Sequence, residues 1–380
     1  MQAAKRKTYH RWLVDLTSLP TAAGREDRVV AYIRQWASSR RSVSLTADTF
    51  GNLTLRRKGL RKSAKTPAPI YIEAHMDHPA FVVQRVLSGK SLLAVFRGGV
   101  KPEYFAGTPI LLHHGKDKPV KGKVINFEKV DPNTDPMIDD GASLLRIEFK
   151  QEVKASVGDV ITWDVGRTRI ADGKLYASAC DDLAGVAAAL AAYDQWLESP
   201  TSADLRLLFT RSEEIGFIGA IAACKAGTIP KDARLICLEN SKSFTESPIG
   251  GGPIVRVGDA TSTFDSDLTF RCSRLALSAS QQDATFRYQR KLMAGGTCEA
   301  SAFQAYGYIA TCLCLPLGNY HNMNERTGKI DSEIISMDDF DGLVKLLGII
   351  VDNLDDPKAS PALLSRLEEL FEKRKHVLDE

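Results

Sequence analysis

The chain has 380 residues, with 50 Lys and Arg against 47 Asp and Glu, a formal net charge of +3 and 44% hydrophobic residues. A chain of this length exceeds what one hydrophobic core normally organises, so we expect two domains. The small net charge argues against a nucleic-acid-binding protein, and no apolar run reaches the 18 residues that a membrane-spanning helix needs.

The first 80 residues predict helices followed by strands. Residues 7–40 have the pattern of two helices separated by SLPTAAG, and residues 43–56 predict a hairpin that turns at FGN. The basic stretch 58–65 has no interleaved aromatic residues, so we interpret it as a solvated loop. The run IYIEAH, which ends at His75, predicts a buried strand.

Residues from about 80 to 170 have a different character, with alternating apolar residues, frequent Gly and Pro, and little helical periodicity. Short strands separated by closely spaced turns are typical of a small β-barrel or sandwich. We therefore predict a β-barrel domain at 79–170, inserted into a first domain made of 1–78 and 171–380.

The chain from residue 181 alternates between helical and strand-like segments, which favours an α/β fold with a mostly parallel, mixed sheet and helices on both faces. The apolar runs LRLLFT, RLICLE and YIATCLCLPLG predict its strands. An amphipathic helix over 337–354 is followed by a linker at 355–361 and a charged C-terminal helix.

The seven cysteines are odd in number and form no CxxC pair, and several lie in apolar runs; they are Cys180, Cys224, Cys237, Cys272, Cys298, Cys312 and Cys314. This usage favours free thiols in a reducing compartment. The N-terminal segment has basic residues but no apolar core typical of a secretory signal, so the expected location is cytoplasmic.

Acids and histidines follow several of the predicted strands. They are His75 with Asp77, Asp181 with Asp182, Glu213 with Glu214, Glu239, and His321. Each has a structural explanation on its own: paired acids often cap helices or complement the helix dipole, and single histidines are commonly structural. Since the carboxyl ends of strands in an α/β sheet meet at one edge, we expect these side chains to converge there. Two imidazoles and several carboxylates suit a pair of divalent metal ions.

Other catalytic patterns are absent from the sequence, which contains no G-x-S-x-G, no P-loop, no G-x-G-x-x-G and no H-E-x-x-H. The pattern therefore predicts a metal-dependent hydrolase. In the paired acids, one carboxylate can hold metal while its neighbour accepts a proton from water.

These motifs resemble the co-catalytic metalloaminopeptidases of the tetrahedral (TET-like) family, which includes glutamyl, leucyl and lysyl aminopeptidases. The resemblance rests on AHMD, CDDLAG, SEEIG, CLEN and NYHN, and extends to TSLPTAAGRE, DTFGNL, GGGPIVRVGD and AGGTCEAS. The interval between Asp77 and Asp181 matches the place where this family inserts its β-rich domain. The resemblance therefore implies a zinc exopeptidase fold and the removal of N-terminal residues from peptides.

The resemblance also implies a role for each site residue. His75 and Glu239 would bind one metal ion, Glu214 and His321 the other, and Asp181 would bridge both. Asp77 would orient His75, and Glu213 would act as general base and acid. The ions would be zinc or cobalt. The family further implies a homo-oligomer built on dimers, up to a dodecamer, with a peptide substrate and with neither nucleic acid nor membrane as a partner.

This chain departs from the family pattern at four places. Glu239 stands where the family usually has aspartate, His78 occupies a position that is usually acidic, the arginine before the last histidine is missing, and GGTCEA replaces G-G-T-D-A. Glutamate at 239 is more typical of the carboxypeptidase relatives of this family. A carboxypeptidase or an N-acyl amino acid deacylase is therefore the alternative activity, and a non-catalytic scaffold of the same fold is the alternative of another class.

Overall fold

The computed structural model describes residues 3–60, 67–127, 143–201 and 203–379, so most of the predicted basic loop at 58–65 lies outside the described residues. The α-helices are α1 Ala3–Thr17, α2 Asp27–Ser38, α3 Leu183–Glu198, α4 Ile218–Ala226, α5 Ser266–Gln282, α6 Glu299–Ala305, α7 Met337–Asn353 and α8 Leu363–Arg374. Within those residues, no helix is long and apolar enough to cross a membrane.

The strands of the described residues divide among four sheets. They are β1 Val43–Ala47, β2 Leu53–Arg57, β3 Ile70–His75, β4 Ala80–Ser88, β5 Ser91–Arg97, β6 Pro109–His113, β7 Val120–Phe127, β8 Ser143–Phe149, β9 Val160–Trp163, β10 Arg169–Ala171, β11 Lys174–Ala177, β12 Leu205–Thr210, β13 Arg234–Lys242, β14 Ile254–Gly258, β15 Gln289–Leu292, β16 Ile309–Leu317, β17 Met323–Asn324, β18 Lys329–Ile330 and β19 Glu333–Ser336.

The largest sheet has eight strands in the order β1-β2-β12-β3-β13-β16-β14-β15. Its centre, β12-β3-β13-β16, is parallel, whereas β2 pairs antiparallel with both β1 and β12, and β14 pairs antiparallel with β16. All six residues of β3 are buried, as expected for a central strand covered on both faces. The predicted mixed α/β sheet is confirmed, with antiparallel pairing at both sides of a parallel centre.

Helices cover both faces of this sheet. Ile72 and Ala74 of β3 belong to the core that includes α1, α2, α3, α5 and α7, and Tyr71 points into a second core with residues of α4 and α6. The central helix α3 is rich in alanine and almost wholly buried, so it packs closely against the sheet. Ser336 caps α7 by accepting hydrogen bonds from the backbone N–H groups of Asp338 and Asp339.

Strands β4 to β9, which follow β3 in the chain, form a closed antiparallel barrel with the strand order β4-β5-β8-β7-β6-β9. Four aromatic rings fill its interior edge to face or tilted, with Phe81 at 4.8 Å from Phe96 and 4.7 Å from Trp163, and Phe105 beside all three. The predicted β-barrel is thus present, and its strands run from Ala80 to Trp163.

Local structure at the site differs from the sequence prediction in three respects. Glu239 lies inside β13, which continues to Lys242, and Glu213 begins a 3-10 turn rather than an α-helix. Asp181 follows β11, which pairs with β10 and β19 in a separate three-stranded sheet. The sequence pattern also does not predict α5 or β15. Apolar runs indicate buried strands, but they do not indicate which sheet a short strand joins.

Candidate metal centre

The predicted acids and histidines converge in one buried cluster at the carboxyl edge of the parallel strands. The Nε2 atom of His75 lies 3.5 Å from Oδ1 of Asp181 and 4.0 Å from Oε1 of Glu239. The Nε2 atom of His321 lies 3.6 Å from Oδ2 of Asp181 and 3.4 Å from Oε2 of Glu214. The two oxygens of Asp181 therefore face different histidines.

Each histidine has its other ring nitrogen held by a backbone carbonyl. The Nδ1 atom of His75 lies 3.2 Å from the carbonyl oxygen of Asp77, and the Nδ1 atom of His321 lies 2.6 Å from that of Gly99. A carbonyl accepts only from a protonated nitrogen, so the proton lies on Nδ1 of each ring, and in the neutral form of the ring Nε2 has the lone pair that a metal ion needs. Gly99 follows β5, so the barrel helps to orient His321.

The turn that carries Glu213 and Glu214 is fixed by two buried acids. The carboxylate of Asp77 accepts the backbone N–H groups of Glu213 at 3.0 Å and Glu214 at 3.1 Å. Ser212 has a left-handed φ of 55°, and its backbone N–H donates to Glu26 at 3.1 Å. A left-handed serine is strained, so this support is what keeps the paired glutamates at the sheet edge.

The electrostatics of the cluster favour a bound cation. Burial raises the pKa of Glu213 and of Glu214 well above the usual range, and it raises the pKa of Glu239 to about 7. Burial opposes ionisation of Asp181 as well, but the facing imidazoles of His321 and His75 lower its pKa far below the usual value. So many buried carboxylates are stabilised as anions only when positive charge lies between them.

The donor set fits divalent metal ions. Sets of ligand atoms that lie within 4.8 Å of one another are offered by His75, Asp181 and Glu239, by Asp181, Glu214 and His321, and by His75, Glu213 and Glu214. Nε2 of His75, Oδ1 of Asp181 and Oε1 of Glu214 are buried without a hydrogen-bond partner. Imidazole nitrogens with carboxylate oxygens are ligands that zinc and its first-row neighbours accept.

Two buried acids that the sequence did not mark as functional, Glu333 and Glu26, help to hold this cluster in place. Glu333 is fully buried, and its carboxylate accepts the backbone N–H groups of Cys180 at 2.7 Å, Asp181 at 3.1 Å and His321 at 2.9 Å. The sequence signal for Glu333 was a lone acid in a short apolar strand, which is costly unless it is paired. Glu26 lies in the TSLPTAAGRE segment but had no predicted role.

Two further positions near the cluster support it through hydrogen bonds. The side chain of Asn240 donates to Oδ1 of Asp182 at 2.8 Å. His78, which departs from the family pattern, lies 2.6 Å from the carbonyl oxygen of Asp181 and 3.1 Å from Oδ1 of Asn322. Both nitrogens of His78 are thus engaged with groups other than the metal-binding carboxylates.

Comparison with known proteins identifies the class. A mixed α/β sheet with buried imidazoles and carboxylates at its edge, together with an inserted barrel, defines a metal-dependent hydrolase. The family described as M42 glutamyl aminopeptidase matches residues 51–345. The chain belongs to this M42 glutamyl aminopeptidase family and is a metal-dependent aminopeptidase. A search of curated protein sequences finds no match to the chain.

Solved structures show the same fold. An aminopeptidase from the archaeon Desulfurococcus kamchatkensis superposes with a TM-score of 0.73 at 20% identity, over 92% of this chain and 95% of that chain. The TET1 peptidase of Pyrococcus horikoshii, described as assembling into a tetrahedron or a large octahedral shell, has a TM-score of 0.70 at 20% identity, over 91% of this chain and 99% of that chain. At these identities the likeness concerns the fold.

Proposed function

We propose that the chain is a dinuclear metalloaminopeptidase that removes N-terminal residues from peptides. His75 and Glu239 would hold one ion, Glu214 and His321 the other, and Asp181 would bridge them. The observation that carries this proposal is the placement of Asp181, whose Oδ1 faces His75 at 3.5 Å and whose Oδ2 faces His321 at 3.6 Å. Bound ions would supply Lewis acidity toward the scissile carbonyl and the attacking water.

Glu213 is the proposed general base and acid. Its Oε2 lies 4.0 Å from Nε2 of His75, and its pKa is raised by burial. A carboxylate with a raised pKa can take a proton from water and later return it to the leaving amine. Asp77 positions this group, because its carboxylate holds the backbone N–H groups of both glutamates and lies 3.6 Å from Nδ1 of His75.

Zinc is the proposed metal, with cobalt as the second choice. Two imidazoles and three carboxylates are intermediate between the sulfur-rich sets of structural zinc sites and the oxygen-only sets that magnesium prefers. Loading the purified protein with each ion in turn, and measuring both affinity and turnover, tests this choice.

The substrate class is tested by a panel of paired substrates. Aminoacyl amides and short peptides with a free α-amine should be cleaved, and the same compounds with an acetylated amine should not. Cleavage confined to N-blocked compounds, or release of the C-terminal residue, would instead indicate the carboxypeptidase or deacylase activity. Full metal loading without cleavage of any compound would indicate a scaffold protein.

We also propose that residues 79–170 form the inserted domain, that 1–78 and 171–380 form the catalytic domain, and that the chain is a homo-oligomer. A related TET1 structure is described as a dodecamer, which supports a large assembly here. Native mass spectrometry of the full chain tests it. All seven cysteines are buried and unpaired, which supports the predicted cytoplasmic location.

A further inference from the structure

The last helix, α8, leaves an apolar face in solvent. Its base is anchored, because the backbone N–H of Leu363 donates to Asp267 at 2.8 Å and Arg271 donates to the carbonyl of Ser360 at 2.9 Å. Beyond this base no residue of α8 is buried. The exposed apolar residues of α8 are Leu364 at 67%, Leu367 at 52%, Leu370 at 41% and Phe371 at 51%, and the 3-10 segment that follows adds Val377 at 55% and Leu378 at 80%.

These residues follow a heptad pattern. With Leu364 at position a, residue 371 is also a, residue 367 is d, and residues 363 and 370 are g; all are apolar, and they lie within α8. Arg374, at the remaining d position, interrupts the face. The chain continues past α8 as a 3-10 turn, Lys375–Asp379. A seven-residue repeat of this kind is the pattern of a helix that packs against another helix.

Charge along the face indicates what covers it. The two e positions are Glu368 and Lys375, which are of opposite sign; Lys375 is the C-cap residue of α8, with helical backbone angles, and its exposed side chain also pairs with Glu372 of the same chain at 2.7 Å. When two identical helices pack antiparallel, the e positions of one lie beside the e positions of the other, so each Glu368 would meet the partner's Lys375. A parallel pair would set these charges against the apolar g positions. The pattern is therefore complementary to itself only in the antiparallel orientation.

We propose that α8 is a self-association element that packs antiparallel against α8 of a second copy of this chain. The family match ends at residue 345, so this helix lies outside the segment that the family accounts for. The contact goes beyond the proposed function, since it uses no residue of the metal centre. It would join copies independently of any other interface in the assembly.

Site-specific cross-linking of the full chain tests this contact. The seven native cysteines are buried, so an introduced surface thiol is a selective reporter. Phe371→Cys lies on the apolar face, and Ser365→Cys, six residues earlier, lies on the opposite face of the same exposed helix. With a short bismaleimide at equal protein concentration, we expect inter-chain cross-linking at position 371 and little at position 365.

Charge variants in the Phe371→Cys background test the orientation. Glu368→Lys and Lys375→Glu should each lower cross-linking by roughly fivefold, because each reverses two symmetric exposed pairs. The double variant Glu368→Lys/Lys375→Glu should restore it. Any one of three results would overturn the proposal. These are equal cross-linking at positions 365 and 371, no recovery in the double variant, and binding to anionic phospholipid vesicles without cross-linking. Cross-linking is measured without reference to peptidase activity, so failure of this proposal can be distinguished from failure of the proposed function.

Discussion

Substitution of Glu333 tests whether this residue supports the metal centre in addition to stabilising the fold. One carboxylate oxygen accepts the N–H groups of Cys180 and Asp181, and the other accepts the N–H of His321. In Glu333→Gln, the amide oxygen can replace only one of these acceptors. If it keeps the first pair, the amide nitrogen faces the N–H of His321, and a buried donor is left unsatisfied.

The expected cost follows from these contacts. An orphaned buried N–H costs about 1–3 kcal/mol. The remaining bonds also lose their ionic character, so the free energy of unfolding should fall by about 2–4 kcal/mol in total. Because Asp181 and His321 lose a common anchor, metal affinity should fall by about 10- to 100-fold, as is typical for residues that position ligands. Urea unfolding and metal titration calorimetry measure the two effects.

A matched control comes from a second buried acid. Asp339 accepts the backbone N–H groups of Gly250 at 2.7 Å and Gly252 at 2.8 Å, and it has no hydrogen bond to the residues of the metal centre. Asp339→Asn should therefore lower stability by a comparable amount and leave metal affinity unchanged. Unchanged metal affinity in Glu333→Gln, or equal losses of affinity in both variants, would refute the reasoning.

Three further predictions concern the base, the packing behind the site, and the barrel. Glu213→Gln should retain normal metal content by mass spectrometry while turnover falls by about a hundredfold or more; persistent turnover would show that Glu213 is not the base. Gly185→Ala should lower metal affinity, measured by chelator competition, because a Cβ at this position would overlap the buried carboxylate of Asp182; unchanged affinity would contradict this. Burial lowers the pKa of His113 to about 4, so the folded state binds its proton less readily than the unfolded state does. The contribution of His113 to the free energy of unfolding is present above about pH 6.5 and is lost as pH falls toward 4. His113→Gln should remove this pH dependence, which urea unfolding at a series of pH values measures. An unchanged pH dependence would disprove the assignment.

The sequence predicted the cluster because the carboxyl ends of parallel strands meet at one edge of an α/β sheet, where binding sites form. His75, Glu213 and Glu214 follow or end strands of the parallel centre, and His321 follows β16. The apolar runs before them made the strands recognisable, and the motif resemblance supplied the family, which the profile match confirms. The roles of the individual residues stay predictions.

The supporting contacts could not be read from the sequence. Glu333 accepts hydrogen bonds from the backbone N–H groups of Cys180 and His321. Every residue except proline has such a group, so the residue types at these positions do not reveal the contact. Glu26 lies far along the chain from Ser212, which it supports. Such pairings depend on how loops fold back over the sheet, and neither hydrophobic period nor motif spacing specifies that path.

Metal content measured together with turnover of an aminoacyl amide tests the central claim most directly. We expect about two divalent ions per chain, loss of turnover when a chelator removes them, and recovery when zinc or cobalt is returned. Turnover that survives complete removal of metal would contradict it, as would a fully loaded protein that releases no N-terminal residue.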